Sequence, residues 1–124
     1  MSDWRAYVKG DRGLAVKGDT LTVKFASGRT QVVAVHDAGE SYLLTAVAAR
    51  AAALTDLKDP DRRAWVINRS VDLVGFRVDE RGRFVGEAWV PKPGLTAAEF
   101  VLVVRRLAGE CDRMEFVLTG EDRE

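Results

Sequence analysis

The sequence is poor in the residues that build reactive or metal-binding centres. Its 124 residues include one histidine, His36, and one cysteine, Cys111. A zinc or iron site needs several nitrogen or sulfur ligands, and a catalytic base needs a positioned partner, so we expect no metal, no cofactor and no enzymatic activity. A single cysteine also excludes an intramolecular disulfide, which favours a reducing, cytoplasmic localisation.

Long apolar runs and an excess of one charge are also absent. The longest stretch without a charged residue, Ser41 to Ala49, is too short to cross a bilayer, and the first ten residues lack the apolar region of a signal peptide. Lys plus Arg and Asp plus Glu each number 19. Phosphate backbones are bound by basic surfaces, so this balance argues against a nucleic-acid partner, as the short apolar runs argue against a membrane partner.

What the sequence does contain is the balance of an ordinary globular domain. Hydrophobic residues make up 47% and charged residues 31%, a composition that can bury enough apolar surface to fold. We expect one domain spanning residues 1–124.

In the first half, alternation of apolar and polar residues predicts strands. Ser2 is a candidate N-cap for a short helix reaching Val8. Residues 21–25 and 30–36 follow as strands joined by a turn. Tyr42–Leu54 is ambiguous, because its alanines favour helix whereas alternation after a turn favours strand. We predict a strand from Tyr42 to Ala48.

The second half begins with a helix signal, Asp59 as N-cap before Pro60. The predicted helix places Ala64, Ile67, Asn68 and Val71 on one face. A strand over residues 73–78, a turn at 79–82 and a strand over 84–90 then predict a hairpin. In the expected register, Val78 lies opposite Phe84, Phe76 opposite Gly86, and Val74 opposite Ala88.

A long C-terminal helix is predicted from Thr96 onward. Thr96 and Glu99 form a capping box, in which each side chain accepts the other's free backbone N–H. Its apolar stripe consists of Phe100, Val103, Val104, Leu107, Cys111, Met114 and Leu118, with Val101 widening it. Cys111 is therefore predicted to be a buried structural thiol. His36 is expected at a strand end, where it faces solvent or caps a turn.

These elements predict an α+β fold in the order αβββαββα, with an antiparallel sheet made of a three-stranded meander plus a hairpin. The candidate interaction surface is the outward side of the hairpin, where Arg77, Val85, Glu87 and Trp89 project together. Either this chain or a second subunit could cover Val85 and Trp89. Val101 and Val104 on the long helix are the alternative dimer surface.

A family resemblance is carried by motifs of the second half. They are Asn68, the hairpin residues 73–79 with Gly82, the strand 84–90, Gly94-Leu95-Thr96, Cys111-Asp112-Arg113-Met114 and Leu118–Asp122. This pattern resembles the bacterial YbjN family, whose fold is shared with type III secretion chaperones. The resemblance covers residues 60–122 and implies an αβββαββα-type fold and frequent homodimers. It does not imply an enzyme. The N-terminal helix is shorter than the one that relatives usually have.

The sequence therefore favours a protein-binding module, chaperone-like or regulatory, that acts as a homodimer with a further protein partner. The alternative is a small-ligand or nucleotide sensor. Its pocket would lie between the sheet and the long helix, near the small residues Gly86 and Ala88.

Overall fold

The computed structural model describes residues 3–54, 59–69 and 73–119. Four strands come first, then a helix, a hairpin and a long helix. An N-terminal 3₁₀ helix, Trp4–Val8, precedes β1 (Leu14–Lys17), β2 (Thr20–Lys24), β3 (Thr30–Asp37), β4 (Ser41–Ala49) and a short 3₁₀ helix, Ala51–Leu54. The chain continues with α1 (Pro60–Asn68), β5 (Gly75–Val78), β6 (Phe84–Pro91) and α2 (Ala97–Thr119).

The strands form one six-stranded sheet in the order β1-β2-β3-β4-β6-β5, and every neighbouring pair is antiparallel. The pairing of β4 with β6 joins the two halves of the chain into a single sheet. This confirms the predicted α+β class, the antiparallel sheet and the hairpin. The meander, however, has four strands rather than three, because residues 14–17 pair with β2 across the turn at Gly18.

The ambiguous segment after Glu40 is a strand through Ala49, as predicted up to Ala48. Pairing with β3 on one side and β6 on the other outweighs the helix propensity of its alanines. A bulge between Val47 and Ala49 interrupts the ladder just before the chain turns into the short 3₁₀ helix.

Two helix starts follow their predicted chemistry. Asp59 caps α1 by accepting the Arg62 N–H, with Pro60 in the first turn. At α2, the Thr96 N–H donates to Glu99 Oε1 over 3.1 Å and the Glu99 N–H donates to Thr96 Oγ1 over 3.2 Å, which is the capping box.

The N-terminal helix and the start of β5 differ from the predictions. The first helix is of the 3₁₀ type and is capped by Asp3, whose Oδ1 accepts the Arg5 N–H. The predicted cap, Ser2, and the helix-face residue Val71 lie outside the described residues. Leu73 has a φ of 69°, a left-handed conformation that interrupts extended backbone. The strand therefore begins at Gly75, and Val74 does not pair with Ala88, whereas Phe76 and Val78 have the expected partners.

The free edge of β5 is covered by a side chain of α1. The Asn68 Nδ2 donates to the Phe76 carbonyl over 2.9 Å, and the Phe76 N–H donates to Asn68 Oδ1 over 2.6 Å. One amide side chain thus supplies both hydrogen bonds that a neighbouring strand would make at this residue.

The core lies between one face of the sheet and α2. Its fully buried large side chains are Phe84, Phe100, Leu21, Leu44, Leu107, Val23, Val33, Val104 and Cys111. Phe100 also holds the N-terminal 3₁₀ helix, because its ring lies 6.1 Å from that of Trp4 and 5.4 Å from that of Tyr7. None of the described helices is both long and apolar enough to cross a bilayer.

Close contact between α2 and the sheet occurs at Gly86 of β6. A Cβ atom added there would come within 2.6 Å of Cys111 Sγ and 3.1 Å of both Leu107 Cδ1 and Phe76 Cε1. Only a residue without a side chain fits at this distance.

We expect the Gly86→Ala variant to lose about 1–3 kcal/mol of unfolding free energy, because the added methyl overpacks the core. The control is Gly109→Ala on α2, where the added methyl meets no described residue within 4 Å beyond the helix's own backbone and its chain neighbours. There we expect a gain of about 0.5–1 kcal/mol. Urea denaturation measures both. The double variant Gly86→Ala with Cys111→Ala should recover part of the lost unfolding free energy. No recovery would contradict this packing.

Candidate functional site

The face of the sheet opposite α2, here called the outer face, is left open by the described helices. The long helix α2 packs on the other face against β3, β4 and β6, while α1 contacts β5. Strand alternation directs Val32, Ala34 and His36 of β3, Leu43, Thr45 and Val47 of β4, and Val85, Glu87 and Trp89 of β6 outward. Val32 is 51% exposed and Trp89 60% exposed.

The sheet register arranges these side chains in rows across the strands. One row joins His36, Leu43 and Trp89, and the next joins Ala34, Thr45 and Glu87. His36 is exposed near the end of β3, as predicted, and its Nε2 lies 3.3 Å from Thr45 Oγ1. The outer face is therefore an apolar surface interrupted by a few polar groups.

A concavity of about 1040 Å³ runs along the outer face from the β5–β6 turn as far as His36 and Leu43. Its floor is formed by β3, β4 and β6, and its rim by the turn and the end of β4. The arginines that line it are Arg50, Arg77, Arg81 and Arg83. This feature is called the arginine concavity below.

The β5–β6 turn on the rim is held by Asp79. Its Oδ1 accepts the N–H groups of Arg81 and Arg83 at 3.0 and 2.9 Å, and its Oδ2 lies 2.7 Å from the Arg83 guanidinium. Burial of the carboxyl acts to raise the pKa of Asp79. The N–H and guanidinium of Arg83, with the N–H of Arg81, outweigh that effect and hold the pKa below its ordinary value.

A second exposed apolar surface lies on and beside α1. Trp65 is 63% exposed, Val66 49% and Leu73 58%. The Arg69 guanidinium lies 5.3 Å from the centre of the Trp65 ring, a cation–π contact. Within α1, only Ala64 is buried and Ile67 is partly buried against the core.

The residues predicted to form the interaction surface fall into two groups. Arg77, Glu87 and Trp89 project together from the outer face, where Arg77 Nε lies 3.2 Å from Glu87 Oε2. Val85 belongs to the same face but is buried in the floor of the arginine concavity.

The alternative dimer surface on α2 requires a correction. Val104 is completely buried against the chain's own sheet, and Val101 packs partly buried against the same core. The apolar stripe of the long helix is buried inside the chain, because α2 packs across β3, β4 and β6. Val104 therefore has no surface to offer a partner.

The pocket expected near Gly86 and Ala88 is filled. Cys111 and Leu107 of α2 reach the backbone of Gly86, and Ala88 is buried in the core. The small residues serve close helix packing and leave no room there for a ligand.

The histidine and the cysteine lie on opposite sides of the sheet. His36 is on the outer face, whereas Cys111 is fully buried, with its Sγ 3.7 Å from the Ala46 carbonyl oxygen. Among the described residues, no three His, Cys, Asp or Glu side chains gather as ligands for a metal ion.

Several surface residues were missed by the sequence reasoning. Trp65 and Val66 stand between Ala64 and Ile67, and four consecutive apolar residues cannot all face one side of a helix. The sequence alone therefore indicated that some of these four side chains are exposed. Arg50 and Arg81 gave no such signal, because the sheet brings them together from separate loops.

Comparison with known proteins matches no family model and no curated protein sequence. Solved structures do match. A chain of the ExoU–SpcU complex from the type III secretion system of Pseudomonas aeruginosa aligns with a TM-score of 0.62 at 19% identity, covering 95% of this chain and 97% of that one. A chain of the ExsC–ExsE complex aligns with a TM-score of 0.61 at 18% identity, covering 89% of this chain and 84% of that one.

A chain of the HopA1–SchA chaperone–effector complex aligns with a TM-score of 0.56 at 13% identity, covering 86% of this chain and 84% of that one. The fold is that of the type III secretion chaperones. At these identities the likeness establishes the fold alone, and the more specific resemblance to the YbjN family stays a prediction.

We expect Cys111 to be inert in the folded protein. Burial in the core raises the pKa of its thiol to about 12, so the reactive thiolate is scarce at neutral pH. A thiol-specific chromogenic disulfide reagent at pH 8 should label the native chain far more slowly than the chain unfolded in guanidinium. Rapid stoichiometric labelling of the native chain would contradict the buried placement.

Proposed function

We propose that this protein is a non-catalytic protein-binding module, chaperone-like or regulatory, that acts as a homodimer in the cytoplasm. The observation that carries the proposal is the open outer face, on which the exposed Trp89 and Val32 accompany Leu43. Large apolar side chains exposed together mark surfaces for macromolecular contact. The solved relatives with this fold include a chain of a complex described as chaperone with effector, which supports a protein partner.

The two exposed surfaces differ in a way that favours separate uses. The outer face combines apolar residues with charged groups, as surfaces that exchange partners do. The α1 surface is carried by a helix of nine residues that buries only Ala64 completely. A helix of that length is marginal on its own, so burial of Trp65 and Val66 against a second subunit would supply stabilisation that the chain's own core does not.

We therefore place the proposed dimer contact at α1 and the partner contact on the outer face. The sequence-based expectation of a dimer through Val85 and Trp89 is the competing arrangement. Substitutions on the two surfaces distinguish them.

For the dimer, sedimentation at high concentration should give about twice the chain mass of 13.7 kDa. The Trp65→Glu variant should sediment as a monomer, because a carboxylate would be desolvated in the contact, while Trp89→Glu should remain dimeric. Both positions are exposed, so circular dichroism spectra should stay unchanged. A monomeric wild-type chain would contradict the proposed dimer. A monomeric Trp89→Glu variant would indicate that the dimer contact lies on the sheet.

For the partner, affinity capture from the native cell followed by mass spectrometry should recover a protein with the wild-type chain. Trp89→Glu should lose it, because the charge disrupts the apolar contact on the outer face. Leu102→Glu is the matched control, since Leu102 is 54% exposed on the outward side of α2. Equal recovery by all three baits would show that the outer face does not bind this partner.

A further inference from the structure

The arginine concavity carries a local excess of positive charge on a chain that is neutral overall. Four arginines line it, against the lining acids Asp79 and Glu80 and against Glu87, which lies 3.2 Å from Arg77. Basic and acidic residues in the whole sequence are equal at 19 each. The imbalance is therefore a property of this place and not of the composition.

Part of the acidic charge there is already engaged. The Asp79 carboxylate, whose side chain is 7% exposed, points into its own turn and pairs with Arg83 at 2.7 Å. Arg77 pairs with Glu87 on the neighbouring strand, but half of its side chain remains accessible. The Arg81 side chain is exposed, and its guanidinium forms no ion pair within the described part of the chain.

Between these charges the floor is aliphatic. Its apolar side chains include Val32, Val47 and Val85. No phenylalanine, tyrosine or tryptophan occurs among the described residues that line the concavity. Single-stranded nucleic acids are held by aromatic rings on which their bases stack, so the floor suits aliphatic side chains better than bases.

The dimensions fit a segment of chain. The volume of about 1040 Å³ lies just above the range of about 300–1,000 Å³ for small-molecule pockets, and the lining follows β3 from Thr30 to His36. In an extended peptide, alternate side chains point to opposite sides. One side can lie on the valines while carboxylates on the other side reach guanidinium groups on the rim.

We propose that the arginine concavity binds an extended segment of a partner protein in which acidic residues alternate with aliphatic ones. This inference rests on the proposed protein-binding function and names the chemistry of its ligand. Electrostatic complementarity selects the acidic segment, and the valine floor excludes water from the contact.

The test uses the full-length chain and labelled synthetic peptides. One peptide alternates glutamate with valine, a second has glutamine in place of glutamate, and a third has lysine. A single-stranded oligothymidine is the fourth probe. Fluorescence anisotropy measures affinity at low and high salt, and amide chemical shifts of the labelled protein locate the contact.

We expect the glutamate peptide to bind about three- to tenfold more tightly than the glutamine peptide, the lysine peptide to bind least, and salt to reduce the difference. The Arg81→Glu variant should bind the glutamate peptide more weakly than the wild type, by a similar factor. Arg106→Glu makes the same charge change on the exposed side of α2 and should alter the affinity less than about twofold. Shifts should centre on Val47, Arg81 and Val85.

Equal binding of all three peptides at the concavity would overturn the acidic specificity and leave the protein-binding function standing. Equal weakening by Arg81→Glu and Arg106→Glu would overturn the assignment to the concavity. Binding of the oligothymidine there, with no peptide bound, would overturn both in favour of a nucleic-acid ligand.

Discussion

The distance between α2 and the centre of the sheet governs the rest of the molecule. Where β6 passes under the helix, Gly86 presents only its backbone, and Cys111 and Leu107 fill the space that a side chain would take. At this distance the stripe from Phe100 to Leu118 can reach β3, β4 and β6 together. A bulkier residue at Gly86 would lift the helix and open the core along several strands, since interiors tolerate little added volume.

Because α2 packs on one face of the sheet, the two faces differ in how much of their surface is buried. All the large apolar residues of α2 that face the sheet are used inside the chain, while Leu102, Phe116 and Val117 on its outward side are exposed. The opposite side of the sheet receives no helix from the described residues and keeps its apolar groups in contact with solvent. The alternation of side chains along β3, β4 and β6 decides which face of the sheet is core, and Gly86 allows α2 to pack closely on that face.

Features that depend on neighbouring residues were predictable from the sequence. The capping box at Thr96, the N-cap at Asp59 and the register of Phe76 with Gly86 follow from side chains a few positions apart. Features that depend on distant pairing were not. The first strand is short and owes its conformation to β2, and the start of β5 is shifted by the left-handed backbone of Leu73.

The same division applies to the candidate surface. Arg77, Glu87 and Trp89 could be placed on one face because strand alternation determines it. Val104 was misplaced because the stripe of a helix does not reveal how wide the sheet beneath it is. The arginine concavity could not be predicted, since Arg50 and Arg81 line it together only after the pairing of β4 with β6 brings the end of β4 near the β5–β6 turn.

The amide of Asn68 has a consequence for how another chain could approach this molecule. Strand addition is favoured where backbone N–H and C=O groups at a sheet edge are unpaired. At Phe76 both groups are hydrogen-bonded to Asn68. An incoming strand would have to displace the amide and would exchange two hydrogen bonds for two others, a substitution close to neutral in free energy. At Phe76 this border of the sheet therefore offers an incoming strand little gain in free energy.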